Sequence, residues 1–306
     1  EVVTMLALQP SACNVTHPDV QLTQSKMFKV LEVYDDESPA HRSADSYKLD
    51  GQLTNNVNKF LKSMRLHGLC TWSGLISGDN KASALKTLQP LVRKLISYYD
   101  EVDDEFSNID QEELCITRMP RIGRGKHNIH FDPLESPQHA ALAKLAAESH
   151  FSDLLSKYMG AHCSLRESGI SITRPYQPNR SAFAHDDKAS GAERQPGQEQ
   201  FVDAKAGEGM EWHSDGPKGE ATILMALEDV APEQGSLRVV PGSHKVYVDG
   251  IGHTETFLKE HCAQLAEEQI SYNYRAGQPM IIDARTLHSV TPNVSSKWRV
   301  VVWFIY

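Results

Sequence analysis

Met210-Glu211-Trp212-His213-Ser214-Asp215-Gly216, followed after four residues by the apolar run Ala221-Thr222-Ile223-Leu224-Met225-Ala226-Leu227, is the stretch on which the reading of this chain turns. Alternate side chains of a strand share a face, so His213 and Asp215 can offer an imidazole and a carboxylate from one side. His-x-Asp pairs also occur at His130/Asp132 and His185/Asp187, so the spacing alone does not choose among them. Context does. Only the third pair is followed by an apolar strand, a turn at Pro232 to Gly235, a second strand ending in Pro241-Gly242-Ser243-His244, and His288 at the end of another strand. Two histidines and one aspartate leave three adjacent metal positions open, which suits non-haem Fe(II) that must also bind a cosubstrate and O₂. A zinc hydrolase site with water in the open position is the alternative for the same residues. Arg299 follows His288 after the turn signal Pro292-Asn293, and a guanidinium returning beside the metal can grip a carboxylate through two parallel hydrogen bonds.

Working outward, the chain changes character near residue 160. Beyond it lie short candidate strands separated by turn signals: Ser168 to Arg174, Ala221 to Leu227, Ser236 to Val240, Gln269 to Arg275, Pro279 to Asp283 and Trp298 to Tyr306. That is the pattern of an antiparallel sandwich or barrel. Before it, Val57, Phe60, Leu61 and Met64 recur at helical spacing with Gly68 as a stop, predicting a helix over Asn55 to His67. Further helices are expected at Ala82 to Tyr99, bent at Pro90, and at Pro137 to Ser149 and Phe151 to Tyr158 with Gly160 as the stop. A strand is expected near Met27 to Tyr34. Pro178 to Gly209 is nearly free of large aliphatics and is read as a lid. The expectation is one domain over 1–306, with 1–160 a mainly helical flanking part and 161–306 a β core carrying the lid over 178–209.

Composition narrows the class. With 306 residues, 40% hydrophobic and 23% charged, the chain can bury a full core, which argues against wholesale disorder. A net charge of -9 provides no global positive field to gather nucleic acid or anionic lipid. No apolar run reaches membrane-span length. Five cysteines, odd in number and without a C-x-x-C pair, favour free thiols in a reducing compartment. We therefore expect a soluble intracellular, cytoplasmic monomer with no nucleic-acid or membrane partner; the chain begins at Glu1, which leaves a removed targeting segment open.

Trp212-His213-Ser214-Asp215-Gly216, the run Gly235-Ser236-Leu237-Arg238-Val239-Val240-Pro241-Gly242-Ser243-His244, and His288 with Asn293 and Arg299 together resemble the phytanoyl-CoA dioxygenase family of Fe(II)/2-oxoglutarate enzymes. The resemblance implies a mainly β fold with flanking helices, built on a double-stranded β-helix (jelly roll). It implies His213, Asp215 and His288 as iron ligands, Arg299 on the distal carboxylate of 2-oxoglutarate, and Ser236 and Thr173 or Arg174 near the cosubstrate. It also implies Fe(II) as cofactor with 2-oxoglutarate and O₂ as cosubstrates. Where related enzymes carry Ala or Gly in place of Asp215, a halide takes the vacated site, so the carboxylate here implies oxygenase, desaturase or cyclase chemistry. Of the remaining residues, His244 is read as stabilising its turn, and Trp212 and Trp303 as core aromatics.

The substrate is read from Thr117 to Asp132, where Arg118, Arg121, Arg124 and Lys126 are concentrated in an otherwise acidic chain. They form either a solvated loop that neutralises the acidic run Asp100 to Glu113 or, with His130, a wall that binds a small anionic metabolite. The chain more distantly resembles algal kainoid synthases, which implies oxidative cyclisation of an N-prenylated amino acid; hydroxylation is the other outcome. An acyl-CoA hydroxylase would need the same cations for its phosphates. A non-catalytic metal-binding sensor on this fold would show a damaged ligand set, and this set is intact.

Overall fold

The computed structural model of the chain describes residues 44–51, 53–102, 110–119, 121–123, 126–175, 210–216, 219–245, 247 and 269–306. The expected strand near Met27 to Tyr34, the expected lid at Pro178 to Gly209 and the pair His185/Asp187 lie outside the described residues. In chain order come β1 (Lys48–Asp50), α1 (Leu53–His67), β2 (Leu69–Ser73), α2 (Gly78–Val102), β3 (Ile116–Arg118), β4 (Arg121–Gly123), β5 (Lys126–Phe131), α3 (Pro137–Glu148) and α4 (Phe151–Met159). They are followed by β6 (Glu167–Thr173), β7 (Met210–His213), β8 (Ala221–Met225), β9 (Leu237–Val239), β10 (Ile270–Tyr272), β11 (Met280–Asp283), β12 (His288–Val290) and β13 (Arg299–Ile305).

The strands form two sheets. The larger runs β1-β2-β11-β8-β13-β6-β5-β3, with β4 also bonded to β5, and the smaller runs β10-β9-β12-β7. This is the expected jelly roll. Strict alternation along β13 shows how sequence builds the layers: Val302 and Phe304 face the helices, whereas Arg299, Val301 and Trp303 face the space between the sheets. The outer face of the large sheet packs Ile170, Ile223, Ile281 and Phe304 against Phe60 and Met64 of α1, Leu88 and Leu95 of α2 and Phe151 of α4. The inner cluster joins Met280, Ile282 and Val301 of the large sheet to Leu237, Val239, Ile270 and Val290 of the small one. Among the described residues no helix is long and apolar enough to cross a membrane.

The flanking half is less helical than expected, because the first 160 residues also supply β1 to β5. Leu69-Cys70-Thr71-Trp72 of β2 is buried throughout, and so short an apolar run shows no period that separates strand from helix. The basic stretch Thr117 to Asp132 is not a loop. It is largely strand, with β5 paired to β6 by the register His130↔Gly169 and Asn128↔Ser171. α2 is longer than expected at both ends and continues through Pro90. α3 starts where Ser136 accepts the amide N–H of His139 and Pro137 fills the first turn, and α4 stops at Gly160.

One junction links the helical layer to the turn between β11 and β12. The carbonyl of Gly68, which ends α1, accepts the Asp283 amide at 2.9 Å and the Thr286 hydroxyl at 2.9 Å. Asp283 is fully buried, yet it is held by Arg285 Nε at 2.8 Å, Arg285 Nη2 at 2.7 Å and the Tyr158 hydroxyl at 2.7 Å. Burial works to raise its pKa, but Arg285 and Tyr158 outweigh it and hold the carboxyl below the usual range.

Phe304→Ala should destabilise the fold by about 3 to 5 kcal/mol, the cost of a large buried void, in denaturant unfolding, whereas Leu134→Ala, at a 93% exposed position, should change it by less than about 0.5 kcal/mol. Asp283→Asn should cost about 2 to 4 kcal/mol at neutral pH. Because the folded pKa is depressed, that contribution is present above the unfolded value near about 4 and is lost as pH falls through the folded one, so the two proteins should converge in stability in acid.

Candidate metal centre

Antiparallel pairing of β12 with β7 sets His288 directly opposite His213, with ring centroids 4.2 Å apart. The chain leaves β7 after His213, and the next turn is fastened to the β11–β12 loop: the amides of Asp215 and Gly216 donate to the Ala284 carbonyl at 2.8 and 3.2 Å. Asp215 Oδ1 then lies 3.5 Å from His213 Nε2 and 3.4 Å from His288 Nε2, and one ligand atom from each residue falls within 4.8 Å of the others. Each ligand is oriented from behind. The Thr222 hydroxyl donates to Asp215 Oδ2 at 2.7 Å, which leaves Oδ1 facing the imidazoles. His288 Nδ1 is 2.9 Å from the Thr286 carbonyl, an acceptor only, so the proton sits on Nδ1 and Nε2, on the Asp215 side, can present its lone pair to a cation. Burial would raise the Asp215 pKa, yet the flanking His288 and His213 hold it well below the usual carboxylate range.

Arg299 opens β13 and is 2% exposed. Its Nη1 donates to the Gln234 carbonyl at 3.0 Å and its Nη2 to the Thr173 hydroxyl at 3.0 Å. Gly235 allows this approach: its φ is +96°, and a Cβ there would fall 2.1 Å from Arg299 Nη1. Gln234 is fixed by its own side chain, which receives the Ala231 amide at 2.9 Å and donates to the Trp298 carbonyl at 2.8 Å. Asn293 Nδ2 donates to the Lys297 carbonyl at 2.8 Å and shapes the turn that delivers Arg299. Among the described residues no carboxylate pairs with the guanidinium, and burial depresses its pKa to about 10 against an opposing pull from Tyr274. A buried cation without a counter-charge is costly. Both Arg299 and the three ligands line one cavity of about 160 Å³, so an anionic cosubstrate that reaches from the guanidinium to the metal fits the charges present.

The other expected site residues fall in different places. The Thr173 hydroxyl holds Arg299 and does not line the cavity, so it stands behind the guanidinium. Ser236 does not line it either: its amide donates to Thr291 Oγ1 at 2.6 Å and its hydroxyl to Asn273 Oδ1. His130 is in the cavity wall. Arg118 is 60% exposed on its side chain and pairs with Glu167 at 3.0 Å, not with the acidic run. The side chains of Arg121 and Lys126, and Arg124 altogether, lie outside the described residues. Asp132 Oδ1 accepts the amides of Leu134 and Glu135, so Asp132 holds a turn while His130 faces the cavity. His244 is buried in the turn Ser243–Lys245, with its pKa pushed down to about 4 by burial. Trp212 is buried under the Arg238 guanidinium, 5.1 Å from its ring. Trp303 is buried, as expected of a core aromatic, and also lines the cavity, because β13 alternation turns it inward with Arg299. Thr222, Ala284, Thr286 and Gln234 had no sequence signal, since they act through main-chain carbonyls or single hydroxyls.

The sequence profile described as phytanoyl-CoA dioxygenase (PhyH) matches residues 64–301. An ectoine dioxygenase of Nocardia farcinica is 25% identical over 126 residues, covering 33% of this chain and 42% of the relative, so the match spans less than half of that protein. Among solved structures, the non-haem alpha-ketoglutarate-dependent epimerase SnoN of nogalamycin biosynthesis superposes with a TM-score of 0.55 at 16% identity over 82% of this chain and 80% of that one. EctD from S. alaskensis with bound Fe gives 0.53 at 17% identity over 89% and 78% of the two chains. The carbocyclase SnoK of nogalamycin biosynthesis gives 0.51 at 14% identity over 89% and 86%. These likenesses show the shared fold. With the family profile covering most of the chain, and the three-ligand centre and buried arginine inside the span it covers, the chain belongs to the phytanoyl-CoA dioxygenase family of non-haem iron, 2-oxoglutarate-dependent oxygenases.

Proposed function

We propose that this chain binds Fe(II) through His213, Asp215 and His288 and 2-oxoglutarate through Arg299, and oxidises an unactivated C–H bond of a small carboxylate-bearing metabolite. The reaction is oxidative cyclisation of an N-prenylated amino acid or hydroxylation, with release of succinate and CO₂. The observation that carries this reading is the buried Arg299, a cation with no counter-charge among the described residues, opening into the same cavity as the facial ligand set. A zinc hydrolase needs only water in its open position, whereas a 2-oxo acid cosubstrate needs an anchor for its distal carboxylate beside the metal.

The chain's own residues have defined tasks in this scheme. Thr286 and Thr222 fix which atoms of His288 and Asp215 face the metal. Arg299, braced by Gln234 and Thr173, holds the distal carboxylate of 2-oxoglutarate and so sets the position of its other end. The apolar walls Leu224, Leu237 and Val290 exclude water from the reacting groups. The iron, when bound, supplies the O₂ activation and C–H oxidation that no side chain can perform. The fold is one on which a carbocyclase and an epimerase are both built, so it does not choose between cyclisation and hydroxylation. The product does: hydroxylation adds one oxygen atom, whereas ring closure or desaturation removes two hydrogens.

Succinate release from the purified chain with Fe(II), 2-oxoglutarate and a panel of carboxylates, read by mass spectrometry, tests the reading; no 2-oxoglutarate consumption with any of them would refute it. His213→Ala, Asp215→Ala and His288→Ala should each lower turnover at least about a hundredfold while the cooperative unfolding transition is retained, since an open three-ligand site has no spare protein ligand. Full activity with stoichiometric Fe(II) in any of them would remove that residue from the ligand set. Arg299→Ala should raise the KM for 2-oxoglutarate at least about thirtyfold, as expected for about 2 kcal/mol or more of lost charge-assisted pairing, with Arg299→Lys a partial rescue.

A further inference from the structure

Beside the metal centre, one cavity-wall group is built with more care than a packing role requires. His130 on β5 is registered opposite Gly169 on β6, and Gly169 is registered opposite Trp303 on β13. A Cβ on Gly169 would fall 2.0 Å from the Ile129 carbonyl and 2.3 Å from Trp303 Cζ2, so the strand between them is cleared for the indole to reach the imidazole. The two rings meet edge to face, with centroids 4.6 Å apart, which fixes the plane of His130. His130 Nδ1 lies 3.0 Å from Glu167 Oε2, and the same oxygen accepts from Arg118 at 3.0 Å.

We propose that His130 is a neutral hydrogen-bond acceptor for the substrate, with Glu167 as its positioning residue, and that the substrate therefore presents an N–H or O–H donor to His130 Nε2. The chemistry follows from the partners. Burial works to raise the Glu167 pKa, but its bonds to His130 and Arg118 outweigh it and keep the carboxylate ionised. An ionised carboxylate only accepts, so the imidazole proton is on Nδ1. Burial, and then the Arg118 charge, lower the His130 pKa, which keeps the ring uncharged at neutral pH. The Nε2 lone pair is left over: among the described residues the ring's hydrogen bond is made at Nδ1, and the ring is in the cavity wall. The place is distinct from the Arg299 grip. β5 lies two strands from β13, about 10 Å across the sheet, and His130 is in the row of Trp303, about 13 Å along the strand from Arg299. This inference rests on the cosubstrate reading above and adds a rule about the substrate: a molecule that lacks a donor at this point leaves a desolvated acceptor unpaired and is rejected.

Two measurements on the full chain test it. Long-range ¹H–¹⁵N correlation on the Zn(II)-loaded protein, with His130 assigned by difference from His130→Phe, should show a protonated Nδ1 and a bare Nε2 at neutral pH. Glu167→Gln should shift His130 toward the other tautomer, a response that loss of packing alone would not give. A proton on Nε2 in the parent protein would overturn the proposal. In the second, succinate release is compared for matched probes that differ only at the donor: N-prenyl-L-glutamate against its ether isostere, and hydroxy acids against their O-methyl ethers. The parent should favour the donor-bearing member of any pair it turns over by at least about tenfold in kcat/KM, and His130→Phe should bring that ratio near one. An unchanged ratio in His130→Phe would overturn the assignment. If the parent failed to develop an Fe(II)–2-oxoglutarate absorption band, the cosubstrate reading would fall, while the nitrogen shifts would still decide the state of His130.

Discussion

The chemistry of this molecule depends on one strand register. The pairing of β12 with β7 puts His288 across from His213, and a slip by one residue would turn both imidazoles to opposite faces of the small sheet. Asp215 completes the set only because its turn is fastened to Ala284, in the loop that joins the large sheet to the small one. The third ligand therefore reports on the alignment of the two sheets. Gly68, Asp283 and Thr286 fix that alignment from the helical side, so the packing of α1 is felt at the metal centre through the two hydrogen bonds that the Gly68 carbonyl accepts.

Charge organises the rest of the cavity. The facial set offers one carboxylate and two imidazoles to a cation, and Arg299 places a buried cation in the same cavity, its partners among the described residues being carbonyls and a hydroxyl. Such a guanidinium is poorly satisfied until an anion arrives, and the braces around it keep it from collapsing onto a protein group. Rigid positioning of this kind is useful to a reaction whose reactive species is aggressive, because the cosubstrate is held in one pose and water is kept out by an apolar wall. His130 and Trp303 line the same cavity, with Glu167 behind the imidazole at 3.0 Å, and in the reading proposed above this part of the wall meets a donor on the substrate rather than a charge.

The legible parts of the sequence were those whose chemistry and period agree. His213-x-Asp215, His288 and Arg299 carry side chains that have few other reasons to occur together, and the turn signal Pro292-Asn293 announces the apolar run of β13, which is buried on both faces. The helices α1, α3 and α4 were legible because apolar spacing and a stop residue coincide. Where period and burial disagree, the reading failed. β2 is apolar on both faces, and β5 looks like a basic loop because its cavity side carries Asn128 and His130 instead of aliphatics. Trp303 is buried as read, but nothing local marks that its face of β13 also meets a cavity. Ser236 looked like a cosubstrate contact, yet its hydroxyl is engaged with Asn273; the residues that brace the site, Gln234 and Thr286 among them, act through carbonyls that every residue possesses.

In the function proposed above, the three ligands and Arg299 form one site, with the guanidinium deciding how the cosubstrate meets the metal. X-ray absorption at the iron edge of the anaerobic Fe(II)-loaded chain, with and without 2-oxoglutarate, tests it most directly. The account predicts two imidazoles in the first coordination shell throughout and a shell that changes on adding 2-oxoglutarate in the parent protein but not in Arg299→Ala at the same concentration. A four-coordinate shell indifferent to 2-oxoglutarate, or the same change in both proteins, would contradict it.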